Sequence, residues 1–281
     1  MRDSFAERGR ERPQSKREYL EAFDREWALI HDGRGSEAGL KRVGSPERKP
    51  VCEDVALKSL RHGLFLVADG MGSSHGWLAS REAARSAYEV LGEDLDKGID
   101  NLKQEAAGDR QKLLEQVNVL VASRMAAAIV QAESRLKALS ARLVGEPAKT
   151  TLSMAKLIEV SVRGEPSLRR LVFANVGDSR IYVQLGGGRL RQISRDDSLL
   201  QWHVDRGELT PAQAREIDQA ENPLELPQQL RAYAAQRGGI TNTVGNGRAV
   251  DDLSVSYIDL QPGDRLLIVS DGVSDQLLES E

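Results

Sequence analysis

The chain has 281 residues, 40% of them apolar and 29% charged, and 43 acids against 39 lysines and arginines give a formal net charge of -4. That apolar content is enough for a sizeable single core, and the charge balance gives no electrostatic reason to expect a nucleic acid or an anionic membrane as partner. A single cysteine, Cys52, excludes an internal disulfide framework, and the four histidines are scattered rather than set at zinc-ligand spacing, so any metal is expected on oxygen ligands.

Residues 1–48 read as a polar tail, an amphipathic helix and a linker. The opening "MRDSFAERGRERPQSK" mixes acids, arginines and a proline and lacks a signal-peptide core. Ser15 and Glu18 form a capping-box pattern ahead of Leu20, Phe23, Trp27 and Ile30, the spacing of an amphipathic helix. The segment "HDGRGSEAGLKRVGSPERKP" is rich in glycine and charge and leads into a folded domain expected at 49–281. No apolar run reads as long enough to span a membrane, and a reducing, cytoplasmic compartment is the expectation.

Within the domain, "GLFLVADG" is a continuous apolar run ending at Asp69-Gly70, the pattern of a covered strand. "LASREAARSAYEVL" follows with Ala79, Ala83, Ala87 and Leu91 on one helical face, small enough to lie close to a sheet. A second helical block is expected from Asp109 to Leu143, with Leu113, Val117, Leu120, Ala127, Leu136 and Leu143 as its stripe. Strands then resume, and Val176-Gly177-Asp178, Gly186-Gly187-Gly188 and Gln261-Pro262-Gly263-Asp264 read as hairpin turns. Between them lies a polar helical insertion at about 198–236, with Thr210-Pro211 starting a helix and Asn222-Pro223 breaking one. Blocks of hairpins and long helices, instead of strict alternation, predict an α+β architecture of antiparallel sheets.

The chemistry concentrates where strands end. Leu64–Ala68 runs into Asp69-Gly70 and Leu266–Ser270 into Asp271-Gly272, while Glu53-Asp54 opens the strand "EDVAL". An aspartate at a strand end presents its carboxylate at the sheet rim, and the following glycine lets the backbone offer a carbonyl to the same point. Two carboxylates about 5 Å apart repel by roughly 3 kcal/mol at an effective dielectric near 20, so convergent acids need a cation or a proton. Oxygen ligands favour magnesium or manganese. A paired divalent site can generate hydroxide from a bridging water and neutralise a phosphoryl group under attack.

"CED" at Cys52–Asp54, "VADGMGSSHGWLAS" at Val67–Ser80, "ANVGDSRIY" at Ala174–Tyr182 and "LLIVSDGVSD" at Leu266–Asp275 together resemble, in order, the motifs of the bacterial branch of the metal-dependent protein phosphatases of the 2C type. The resemblance implies a four-layer α-β-β-α sandwich and a binuclear Mn2+ or Mg2+ centre that hydrolyses phosphoserine and phosphothreonine in phosphoprotein substrates of a serine/threonine kinase. It assigns Asp54, Asp69, the Gly70 carbonyl and Asp271 as metal ligands and Glu53 as their support, with Asp54 and Asp69 positioning the bridging hydroxide. Asp178 is either a ligand of a third ion beside Asp271 or simply part of a turn. Lys49, or the adjacent Arg48, falls at the phosphate-binding position. His75 is read as a loop histidine, and Asp275 as the cap of a helix "QLLESE". The insertion resembles a variable flap beside the active site, and Thr150-Thr151 match a Gly-Thr-Thr strand start with Lys149 in place of the glycine. The family's last metal aspartate and its closing strands are expected beyond residue 281. That leaves an alternative function, a regulatory binding module that keeps the fold without hydrolysis. A third reading is an unrelated metal hydrolase with a small phosphorylated substrate.

Overall fold

A computed structural model describes residues 53–71, 75–106, 108–162, 164–220, 222–251 and 253–274. The expected helix at 15–30 with its tail and linker, Cys52, the basic pair Arg48 and Lys49, and the cap at Asp275 lie outside the described residues.

The first hairpin pairs β1 (Val55–Ser59) with β2 (Leu64–Ala68), in register from Val55↔Ala68 to Ser59↔Leu64. A two-residue strand β3 (Gly70–Met71) is followed by α1 (Gly76–Leu91), α2 (Glu93–Glu105) and α3 (Arg110–Ser140). β4 (Lys149–Thr150), β5 (Leu152–Val160), β6 (Leu168–Val176), β7 (Arg180–Gln184) and β8 (Leu190–Gln192) come next. The insertion forms α4 (Leu199–Asp205), α5 (Pro211–Asp218), a 3-10 turn (Pro223–Glu225) and α6 (Gln228–Ala234). β9 (Val255–Leu260), β10 (Arg265–Val269) and the short α7 (Asp271–Ser274) complete the described chain.

The strands make an antiparallel sheet in the order β1-β2-β5-β6-β9, a second in the order β10-β7-β8, and the small pair β3-β4. Period-two alternation divides the first sheet between two cores. Met154, Ile158, Val172 and Ala174 face α1 and α3, where Ala79, Ala83, Ala87 and Leu91 are fully buried as their spacing predicts. Ala155, Leu171 and Phe173 face the second sheet and pack with Ile181 and Val183. The α+β class therefore holds, with helix, sheet and sheet stacked in that order among the described residues.

Two of the three expected hairpin turns are something else. β6 and β9 lie in the first sheet, β7 and β10 in the second, so the turns after Val176 and Leu260 carry the chain from sheet to sheet. Only the Gly186-Gly187-Gly188 turn joins paired neighbours, β7 and β8. Turn chemistry specifies a reversal of direction, not which sheet receives the next strand.

Helix α3 starts where Asp109 accepts the Lys112 N–H, at 3.0 Å. Its buried stripe is Leu113, Val117, Val121, Met125, Ala128, Ala132 and Leu136. Leu120 is only half-buried, Ala127 is exposed and Leu143 lies past the helix end, so the expected stripe is partly wrong. A seven-residue step falls about 20° behind a straight helix, so positions read at heptad spacing drift off the packed face. By length and composition this helix is also apolar enough to cross a membrane, which corrects the expectation that no run was. Its stripe is buried in the core with α1 and the first sheet.

A buried cation sits within this apolar layer. Lys156, 1% exposed, projects from β5 on the helix side and donates to the carbonyls of His62 and Leu91 and to Asp96 Oδ1, at 2.6, 3.0 and 2.5 Å. Asp96 also meets His62 Nδ1 at 2.5 Å. One ammonium thereby ties the β1–β2 turn and the end of α1 to the start of α2.

The insertion packs on its own small cluster of Leu200, Leu209, Ile217, Leu226 and Leu230. Thr210 forms the capping box with Gln213 ahead of Pro211, and the Asn222 side chain accepts the Leu224 N–H, so both sequence signals hold. Its base is closed where the Leu199 N–H donates to the Gly239 carbonyl and the Thr241 N–H to the Asp197 carbonyl, each at 2.8 Å.

Candidate active site

The site is built where β1 begins and where β2 and β10 end. Asp54 precedes β1, Asp69 follows β2, and Asp271 follows β10. The Gly70 N–H donates to the Glu53 carbonyl at 3.2 Å, which sets the ends of the first hairpin side by side. Across the sandwich, Ser270 Oγ donates to Asp54 Oδ2 at 3.1 Å.

The Asp69 carboxyl stands at the centre of this group. It is hydrogen-bonded to the side chains of both Asp54 and Asp271, and its pKa is pushed up to about 10, first by burial and then by the Asp54 charge. Every charged neighbour that shifts it is another carboxylate. Among the described residues no group of three or more His, Cys, Asp or Glu is already arrayed around a metal position; these acids bond to one another. A shared proton relieves part of the repulsion in such a trio, and divalent ions on hard oxygen ligands are the other way to offset it. The donor set fits magnesium or manganese on those grounds.

The backbone at Asp69 is clamped by the next strands. Its N–H donates to Thr151 Oγ1 at 2.9 Å, while its carbonyl accepts the Thr151 N–H at 2.9 Å and the Thr150 hydroxyl at 2.7 Å. Lys149, standing where the resembled family has glycine, does not prevent this approach: β3 and β4 pair as Gly70↔Thr150 and Met71↔Lys149. Close approach is required instead at Gly70, where an added Cβ would lie 2.1 Å from the Gly76 carbonyl oxygen and 2.7 Å from that of Glu53. Gly177 is the second such point, with φ +100° and only 2.7 Å from its notional Cβ to Thr151 Cγ2.

Asp178 lies in the turn between β6 and β7, and Ser179 beside it shares a 2.7 Å hydroxyl contact with Thr151 Oγ1. Burial, then the Asp271 charge, pushes the Asp178 pKa up to about 7. Four of the sequence-predicted acids, Asp54, Asp69, Asp178 and Asp271, thus form one chain of interacting carboxyls. Glu53 contributes the main-chain carbonyl that receives Gly70. His75 occupies the N-terminal cap position of α1, where its carbonyl accepts from Leu78 and Ala79 N–H, in keeping with a loop histidine.

The sequence reading missed Arg180, although it stands two residues after Asp178 in the same Gly-Asp-Ser-Arg stretch. Arg180 Nε donates to Asp196 Oδ2 and its Nη2 to Asp218 Oδ2, both at 2.8 Å, and the second bond reaches α5 of the insertion. Burial opposes the Arg180 charge, but Asp196 and Asp218 outweigh it and hold its pKa above the usual arginine value. Asp196 is itself pushed up to about 6 by burial, against the pull of Arg180.

The sequence pattern of the protein phosphatase 2C family matches residues 47–281. The serine/threonine protein phosphatase PstP of Mycobacterium tuberculosis is 35% identical over 106 residues, which cover 38% of this chain and 17% of that protein. The chain therefore spans a small part of the curated relative's length. Among solved structures, the PPM Ser-Thr phosphatase MsPP from Mycobacterium smegmatis is 28% identical with a TM-score of 0.50, over 80% of this chain and 73% of that one. The structure of Mycobacterium tuberculosis PstP/Ppp is 26% identical with a TM-score of 0.50, over 86% and 79%.

Proposed function

Because the chain belongs to the protein phosphatase 2C family, we propose that it is a metal-dependent protein serine/threonine phosphatase whose centre is the carboxyl group of Asp54, Asp69 and Asp271. The observation that carries this reading is the convergence of three carboxyls from the start of β1 and the ends of β2 and β10, with Asp69 bonded to both Asp54 and Asp271.

In this reading Asp54, Asp69 and Asp271, with the Gly70 carbonyl, would hold two Mn2+ or Mg2+ ions, and Asp178 would join Asp271 in holding a third. Bound there, divalent ions supply an acidified water and neutralisation of phosphoryl charge. The chain's own residues set the conditions. Asp69 would bind a cation as the carboxylate, with its proton released to solvent. Thr150 and Thr151 fix the Asp69 backbone, so the carboxyl need not be ordered at the moment of reaction. Lys49 or Arg48 is the proposed anchor for the substrate phosphate, and phosphoserine or phosphothreonine segments of proteins are the proposed substrates. The insertion at 198–236 acts as the flap over this entrance.

The alternative reading is a regulatory binding module that keeps the fold without hydrolysis. One measurement decides between them: manganese-dependent release of phosphate from a phosphothreonine peptide, with Asp69→Asn alongside. Release by the parent protein and none by the variant is expected; equal activity in the two, or none in either, rejects the phosphatase reading.

A further inference from the structure

A cavity of about 550 Å³ opens beside the carboxyl group, with Asp178 and Asp271 in its lining. β7 and β8 form one wall and the insertion helices α4 and α5 the other. Three arginines line it that the arrangement of the acids does not explain. Arg180 is committed to Asp196 and Asp218. Arg189, Arg191 and Arg215 are exposed on the walls, and among the described residues none of their side chains has a hydrogen-bonding or ion-pair partner. Single exposed arginines are ordinary solvated surface. Three that converge on one concavity from β8, its turn and a facing helix repel one another, and concave walls focus their field on whatever enters. The lining thus combines Asp178 and Asp271, the Asp196 and Asp218 carboxylates already bound to Arg180, and the guanidinium groups of Arg189, Arg191 and Arg215.

We propose that this cavity is a substrate subsite for acidic side chains that flank the phosphorylated residue. The preferred substrate is then a phosphoserine or phosphothreonine segment rich in aspartate or glutamate, and segments with basic flanks are disfavoured. The proposal rests on the phosphatase reading above and deepens it. Arginine is suited to the task because its planar fork takes a carboxylate through two hydrogen bonds. Because the pairs form in a half-open cavity, the preference weakens with salt.

The test uses two phosphothreonine peptides that differ only in having glutamate or glutamine on both sides of the phosphoresidue. kcat/KM is measured for each with Mn2+, in the parent protein and in Arg191→Glu/Arg215→Glu, which reverses charge on both walls. The parent is expected to favour the glutamate peptide by about tenfold at low salt, the scale of ~1.4 kcal/mol of added interaction, and the variant to lose that preference. Because the ratio is taken within each protein, any loss of folded or metal-loaded molecules cancels. An unchanged ratio overturns the proposal. If the parent turns over neither peptide, the phosphatase reading fails, and the cavity is judged by fluorescence anisotropy with a labelled, unphosphorylated glutamate peptide. Binding at least fivefold weaker in the variant supports the acidic-segment site; equal binding, or none to the parent, refutes it.

Discussion

At the scale of single residues, the proton on Asp69 decides most of what can be measured. Its folded pKa of about 10 lies far above the ordinary aspartate value of 3.8, so the folded metal-free protein holds a proton that the unfolded chain releases. A raised folded pKa means stability that is complete below about pH 4 and is lost as pH rises toward 10. The loss through this group reaches at most about 1.4 kcal/mol per pH unit across the window. Asp69→Asn keeps the shape without the titration. We expect it to raise the melting temperature of the metal-free protein at pH 8–9 relative to the parent, while removing manganese-dependent phosphate release. A melting temperature lowered at that pH would show that Asp69 is ionised in the metal-free fold. Gly70→Ala probes the neighbouring close approach. A methyl group 2.1 Å from a carbonyl oxygen forces backbone to move, and a loss of about 1–3 kcal/mol is expected in urea unfolding.

Between elements, partners far apart in sequence do work that periodicity does not reveal. Lys156→Met leaves two carbonyls and the Asp96 carboxylate without their shared donor, and a loss of about 2–4 kcal/mol is expected in chemical denaturation. Arg180→Ala removes the bonds from β7 to Asp196 and Asp218. Its expected signature is faster amide exchange and proteolysis at 199–236 with the sheet core unchanged, and equal protection in both proteins would count against Arg180 as the tie of the insertion. These contacts also mark the limit of what could be read from sequence. The strand-end aspartates were legible because an apolar run closing on Asp-Gly is a local signal. Ala79 to Leu91 and Thr210-Pro211 were legible for the same reason. Lys156 was not, since an alternating strand gives no sign that one polar member faces the helices, and the partners of Arg180 lie 16 and 38 residues away. Ala127 was misplaced by a period slightly too short, and the sheet-to-sheet crossings by turns that look alike whichever sheet comes next.

For the whole molecule, metal binding and folding are one equilibrium. If the site forms as proposed, Mn2+ at a hundredfold excess over its dissociation constant stabilises the fold by about 2.7 kcal/mol. Because cation and proton compete at Asp69, the gain in melting temperature is expected to be larger at pH 8 than at pH 6, and calorimetry in buffers of different ionisation enthalpy should register proton release. A melting temperature unmoved by millimolar Mn2+ would exclude an intact centre. The contact from Ser270 Oγ to Asp54 spans 216 residues of sequence, and loop-closure entropy makes contacts of such separation slow to form. Local hairpins and helices can assemble early, whereas Asp54 and Asp69 meet Asp271 only once the second sheet has docked on the first. Until that moment a folding or nascent chain has only part of its cation-binding charge. If the proposed centre forms, its assembly is therefore timed to the docking of the two sheets, at the end of folding.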